Sequence, residues 1–428
     1  MIRYFFDAHM HAMNLNHPDF VALVESITNG FSEFVTSGAL SPGYLLTPSN
    51  RGQQGLLTIL NVFSVFERPI GEIFALMEDD LAGMFSRAAN DPKNKPPANL
   101  MYPTQPYIRE GKLHFRDQVY DKLALIPLVM DFSRDQGEWG KSYYTSERQE
   151  KILSYVKDTL DGIEWYRKLR PKGLLEFFPF LGINPEVHSL DFIQEILSIY
   201  IRTDRSTTWN ARKSKPLQRF RGIKLYPPLG TNPWPDEPEK LEKITYIYRF
   251  CELNNLPIIT HCDDQGFRGV TSKLAQQYTS PAAWIPVLEK FPDLKIDFAH
   301  YGKQYNIVLK PSLKALIENS FTSNPWFTEL MELMRRYKHV YADFSFSGTD
   351  PRFYEQLHHY MDSCEDSVLA ETIAKHSMFG SDFMVNLAKV ESYSNYYRIF
   401  EASPFSSNQI QRFVSDNPLE FLGLTTGK

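Results

Sequence analysis

The sequence predicts a TIM barrel, a (β/α)8 cylinder of parallel strands, and three observations predict it. Eight short apolar runs alternate with stretches of helical periodicity along the chain. Strands returned parallel through helical crossovers keep one hand, and eight of them close into a barrel. The residues able to do chemistry fall at the C-terminal ends of those runs, where such a barrel opens its mouth. The rival architecture is an open doubly wound sheet, but no Gly-x-Gly-x-x-Gly turn follows the first strand. The chain therefore reads as one barrel domain over residues 1–428, with residues 12–122 inserted between the first two strands as a cap.

Tyr4 to His11 is the first strand, and simple alternation predicts that Asp7, His9 and His11 share one face. The excursion that follows is too long to lack structure of its own. Pro18–Ile27 and Pro69–Ala89 have helical spacing, whereas Asn90–Pro106 is rich in Pro and Asn and reads as loop. Leu123–Asp131 is a nearly continuous apolar run, as expected of a strand buried on both faces. Ser146 and Gln149 form a capping-box pattern, and Ile152, Val156, Leu160 and Ile163 continue as a helix.

Leu174–Phe180 is the third strand, and the helix Leu190–Ile201 leads to a polar loop over Thr203–Arg219. The fourth strand, Phe220–Tyr226, stops at Pro227-Pro228, because proline cannot donate to a central ladder. Pro238–Leu253 is helical and Pro257–His261 is the fifth strand. Pro281–Phe291 then leads to the sixth, Leu294–His300. Trp326–Tyr337 precedes the seventh strand, Val340–Ser345, and Leu369–Lys375 precedes the eighth, Ser377–Asp382. A helix around Asn408–Val414 and the tail Asn417–Leu422 complete the series.

Composition narrows the function. The net charge of -5 is spread along the chain, so no basic footprint for nucleic acid appears. Cys251, Cys262 and Cys364 are too few and too far apart for a disulfide framework or a cysteine zinc site, which suits a reducing compartment. No apolar run approaches membrane-spanning length and no secretory signal opens the chain. A soluble cytoplasmic protein is expected, with room for a homo-oligomer.

His9, His11, Lys224, His261, His300 and Asp382 end the first, fourth, fifth, sixth and eighth strands, so one barrel mouth would gather them. Neutral imidazoles with a carboxylate suit zinc or a similar divalent ion, one or two in number. An incomplete protein ligand set leaves a place for water, which ionises near neutral pH when bound. The other histidines, His17, His114, His188, His339, His358, His359 and His376, lie in loops, helices or strand starts and read as structural. Arg268 just after the fifth strand has the planar fork to clamp a carboxylate or phosphate of a substrate, and Tyr226 and Tyr301 sit where they would line its pocket.

The motifs Asp7-Ala-His-Met-His11, Gly222-Ile-Lys-Leu-Tyr-Pro-Pro228, Thr260-His261, Pro292 to Gly302 and Gly380-Ser-Asp382 resemble those of the amidohydrolase superfamily. The likeness is to its amidohydrolase-related (amidohydrolase 2 type) branch, which also holds decarboxylases similar to aminocarboxymuconate semialdehyde decarboxylase. It spans the barrel and leaves out residues 12–122.

The resemblance implies that His9, His11, His261 and Asp382 bind metal, that Asp382 also shuttles a proton, and that His300 is a second-metal ligand or a polarising group. Lys224 sets the count, since in some branches this lysine is carboxylated and bridges two metals. The activity implied is metal-dependent hydrolysis of a C–N or C–O bond in a small molecule. Non-oxidative decarboxylation on the same scaffold is the alternative, and a non-catalytic metal-dependent binding protein is the alternative outside catalysis.

Overall fold

The computed structural model describes residues 2–14, 16–17, 65–84, 106–133, 148–203, 217–305 and 321–424. The expected helix at 18–27, most of the loops at 90–106 and 203–219, and the Ser146 end of the capping box lie outside the described residues.

Eight parallel strands close a ring. Tyr4–Met10 pairs with Lys122–Pro127, which pairs with Leu175–Phe177. The third strand kinks at Pro179. Its second half, Phe180–Gly182, turns to Gly222–Leu225, and a bridge from Leu128 to Phe180 keeps it tied to the second strand. Ile258–Thr260, Ile296–Phe298, Val340–Asp343 and Ser377–Met378 follow in order. Closure onto the first strand runs through Ala8 N–H, which donates to the Phe379 carbonyl at 2.8 Å, and a parallel bridge from Met10 to Phe383.

Alternation along the strands sorts the side chains. Tyr4, Phe6, Ala8, Ile126, Ile259 and Tyr341 fill the lower barrel, closed below by Phe421 and Leu422. The intervening residues, such as Phe5, Ile223, Ile258 and Val340, pack outward under the helices. The same alternation sends Lys224, Asp297 and Asp343 inward, above the apolar layers and beneath the mouth.

Outside the ring the helices match the expected spacing, with Arg148–Leu169, Leu190–Tyr200, Pro238–Asn254 and Pro325–Arg336 all present. Helices Ser272–Thr279, Pro351–Ser363 and Tyr393–Glu401 add to those read from periodicity. The inserted segment carries an antiparallel sheet, Ile108–Arg109, Lys112–Phe115 and Gln118–Tyr120, that sequence reading passed over.

The sheet and the helix Ile70–Leu81 of the insertion pack on the outside of the ring. Phe115 packs on Phe5 and Phe400, and the Arg116 guanidinium donates to the carbonyls of Glu401, Ser403 and Phe405. Helix Ile70–Leu81 is tied on by Glu78, which accepts from Tyr166 Oη at 2.8 Å, Arg170 at 2.7 Å and Leu174 N at 2.7 Å. No helix among the described residues is long and apolar enough to cross a membrane. All three cysteines are free.

Candidate metal centre

Four histidines meet at the mouth, and two of them are brought there by breaks in strand geometry. Between Asp7 and Met10 the first strand spends three residue steps against two on its partner, from Asp7 opposite Leu125 to Met10 opposite Pro127. This bulge reverses the alternation. Asp7 therefore does not share a face with His9 and His11, as simple alternation predicts. Its carboxylate is held in the outer layer by Ser381 N at 2.8 Å, Ser381 Oγ at 2.6 Å and Tyr393 Oη at 2.8 Å, and burial raises it to about 7. His9, freed from that pattern, faces the mouth.

On the sixth strand Phe298 faces out and Ala299 in, so His300 would face out again. Instead His300 and Tyr301 adopt left-handed backbone, φ +64° and +61°, which swings His300 inward. The same turn corrects the reading of Tyr301 as a pocket residue. It is fully buried behind the strand, stacked on Phe327 and Phe344 and hydrogen-bonded to Ser377 Oγ at 2.7 Å. Asp382 is also left-handed, φ +58°, a conformation Asp tolerates better than most residues, and its N–H donates to the His9 carbonyl at 2.8 Å. Gly380 makes this approach feasible, because a Cβ there would stand 2.8 Å from His9 Cβ.

The inner atoms form two groups. His9 Nε2, His11 Nε2 and Asp382 Oδ1 lie 3.3–3.4 Å from one another, and His261 Nδ1 lies 3.1 Å from His300 Nε2. The His9 and His300 rings, 5.0 Å apart, join the two. His9, His11 and Asp382 form one cluster able to hold a metal; His261, Asp263 and His300 form the other.

The outer nitrogens decide the chemistry. His9 Nδ1 faces Asp343 Oδ2 at 2.7 Å, and His11 Nδ1 faces the Leu128 carbonyl at 3.3 Å. His261 Nε2 faces Asp263 Oδ1 at 3.0 Å, and His300 Nδ1 faces the Ser345 carbonyl at 3.0 Å. Every one of these partners is an acceptor. Each outer nitrogen therefore carries the proton of a neutral ring, and each inner nitrogen presents a lone pair. Lone pairs 3.1–3.3 Å apart repel unless a cation lies among them.

The buried charges point the same way. Burial pulls His9 down to about 3 and lowers His261, with Asp343 and Asp263 respectively opposing it, so both rings are neutral. Burial works upward on Asp382, Asp343 and Asp263. The hydrogen bond with His11 holds Asp382 below the ordinary carboxylate range, His9 does so for Asp343, and His261 for Asp263. Asp297 is pushed well above its ordinary value by burial and then by the charge of Asp343 and a hydrogen bond with it.

Three ionised carboxylates thus surround one lysine. Lys224 is buried and lowered to about 8 by burial against the pull of Asp343 and Asp382, and its Nζ has no hydrogen-bond partner among the described residues. The surplus negative charge and the inward lone pairs both fit a bound divalent cation.

The remaining expected site residues divide. The Tyr226 ring lies 4.7 Å from that of His261, and its hydroxyl accepts from Phe267 N at 2.9 Å. Arg268, half-buried on the same loop, donates to the Asp264 carbonyl at 2.8 Å. Asp343, Asp263 and Ser345 were missed as site residues, although Asp343 ends the strand Val340–Asp343. His188, expected to be structural, is bound at 2.7 Å to Asp131, whose carboxylate also accepts from Ser133 and Asn184.

A family model described as Amidohydrolase matches residues 211–424. No curated protein matches the chain. Among solved structures the chain is similar to an uncharacterized TIM-barrel protein from Bordetella bronchiseptica, at 14% identity over 99% of this chain and 100% of that one, with a TM-score of 0.45. It is also similar to 2,6-dihydroxybenzoate decarboxylase complexed with 2,6-dihydroxybenzoate, at 12% identity over 71% and 84% of the two chains, TM-score 0.39. A probable 2-pyrone-4,6-dicarboxylic acid hydrolase from Acinetobacter baumannii, with citric acid bound, matches at 12% identity over 70% and 98%, TM-score 0.39. With the family model covering half of its length, from before the fourth strand to beyond the eighth, this chain belongs to the amidohydrolase family.

Proposed function

We propose that the chain is a metal-dependent hydrolase that cleaves a C–N or C–O bond, in an amide, lactam, lactone or ester of a small molecule. The observation that supports this reading is the gathering of four inner imidazole nitrogens in two groups, His9 and His11 with the Asp382 carboxylate and His261 with His300, each ring fixed from behind by an acceptor. A divalent cation, zinc being one that suits imidazole and carboxylate ligands, would when bound supply the Lewis acidity that lowers the pKa of water and polarises a carbonyl.

His9, His11 and Asp382 would hold one ion, and His261 and His300 a second; Lys224, if carboxylated, would join them as an anionic ligand. Asp382, held ionised among the histidines, accepts the proton of the attacking water and returns it to the departing nitrogen or oxygen. His300 stands beside it as a ligand or polarising group. Tyr226, beside the His261 ring, and Arg268, on the loop after the fifth strand, would line the substrate pocket.

The test is metal removal in a screen of lactones, esters and amides run in 18O-labelled water. Turnover that vanishes with chelation, returns with zinc and places one labelled oxygen in the product supports hydrolysis. Turnover indifferent to complete metal removal ends this reading, and carbon dioxide release without label in the product would replace it with decarboxylation.

A further inference from the structure

Resting on the reading that His261 and His300 share a cation, we propose that Asp263 is a positioning residue. It fixes His261 with the proton on Nε2 and so reserves Nδ1 for the ion. The loop after the fifth strand folds back on that ring. Asp263 Oδ1 accepts from Gln265 N at 2.7 Å while facing His261 Nε2 at 3.0 Å, and the Gln265 carbonyl faces the same nitrogen at 3.1 Å.

Two acceptors on one nitrogen leave it no role but donor. The turn that brings them there needs Gly266, at φ +101°. A Cβ there would lie 2.3 Å from Tyr226 Oη and 3.0 Å from His261 Nε2. Asp263, Gln265 and Tyr226 thus enclose the outer edge of the imidazole, leaving Nδ1 directed at His300 Nε2, 3.1 Å away. One Asp263 oxygen lies within 4.8 Å of a nitrogen of each ring, but its bond to the far side of His261 gives it an orienting task rather than a ligand's place.

The test titrates metal-free full-length protein with cobalt(II), following the visible absorption of the bound ion, for wild type, Asp263→Ala and Asp263→Asn. Removal of the carboxylate weakens cobalt binding by about 10–100-fold, the usual cost of losing a ligand's orienting partner, and Asn, which keeps an acceptor oxygen, restores most of it. Wild-type affinity in Asp263→Ala overturns the proposal, as does equal weakening in both variants. Failure of wild type to bind cobalt overturns the metal reading and this one together. Should Asp263→Ala fold poorly, 15N NMR of histidine-labelled wild type without metal decides. An Nε2-protonated His261 is expected, and an Nδ1-protonated ring contradicts the proposal.

Discussion

The two halves of the candidate metal centre are built by opposite means. In the half formed by the first and eighth strands, His9 is oriented by Asp343, 334 residues away on the seventh strand. In the half formed by the fifth and sixth strands, His261 is oriented by Asp263, two residues away in its own loop. Asp343 does more than serve His9, since it also accepts from Ser345 N at 2.9 Å and His300 N at 3.3 Å. Ser345 Oγ in turn lies 2.9 Å from His300 Nδ1. The difference teaches that a tertiary partner can couple both halves, whereas a local one governs a single ring.

The largest effect should come from the group that belongs to neither orienting pair. Asp382→Asn keeps the shape and removes the base, so turnover falls by about 10²–10⁴-fold while the melting temperature stays close to wild type. A variant with near wild-type turnover would move the proton transfer elsewhere. Next comes Asp343→Ala, which leaves His9 Nδ1, His300 N and Ser345 N without their acceptor. Metal affinity should drop by about 10–100-fold in both halves rather than one, and stability by about 3 kcal/mol or more, at about 1–3 kcal/mol per stranded buried donor. Calorimetric titration beside urea unfolding reads both quantities, and loss confined to the His261 half would break the comparison.

A further effect is on pH stability. His9 drops from 6.5 to about 3 on folding, so below 6.5 the unfolded chain binds the proton that the folded one refuses. Its contribution is complete above pH 6.5 and is lost as pH falls toward 3, at a slope approaching about 1.4 kcal/mol per unit for this one group. Melting curves of metal-free protein from pH 7 to 4 should show a shallower decline in His9→Asn, and an unchanged decline would mean that the ring is not held neutral.

Much of the fold was legible because strands buried on both faces are written as apolar runs, as in Leu123–Met130, and their polar terminators mark the mouth. The candidate residues His9, His11, His261, His300, Lys224 and Asp382 were legible for the same reason. The facing of individual side chains was not. No Gly or Pro announces the bulge at Ala8–His9, so Asp7 was misplaced, and only Gly302 hints at the left-handed turn that hides Tyr301.

Asp343 carried a signal, a carboxylate ending the run Val340-Tyr-Ala-Asp343, but its partner lies across the ring and sequence separation conceals it. The sheet at 108–120 also carried one, with Leu113 and Phe115 buried on alternate positions and Gly111 turning at φ +72°. The elements read in the insertion end at Pro106, short of this sheet.

The central claim is that the inward lone pairs of His9, His11, His261 and His300 exist to share cations with Asp382. Anomalous diffraction from crystals of zinc-loaded protein, collected on either side of the zinc edge, addresses it most directly. The account predicts anomalous density among His9 Nε2, His11 Nε2 and Asp382, and between His261 Nδ1 and His300 Nε2. Fully loaded crystals with no zinc at either position, or with zinc bound only elsewhere on the molecule, would contradict it.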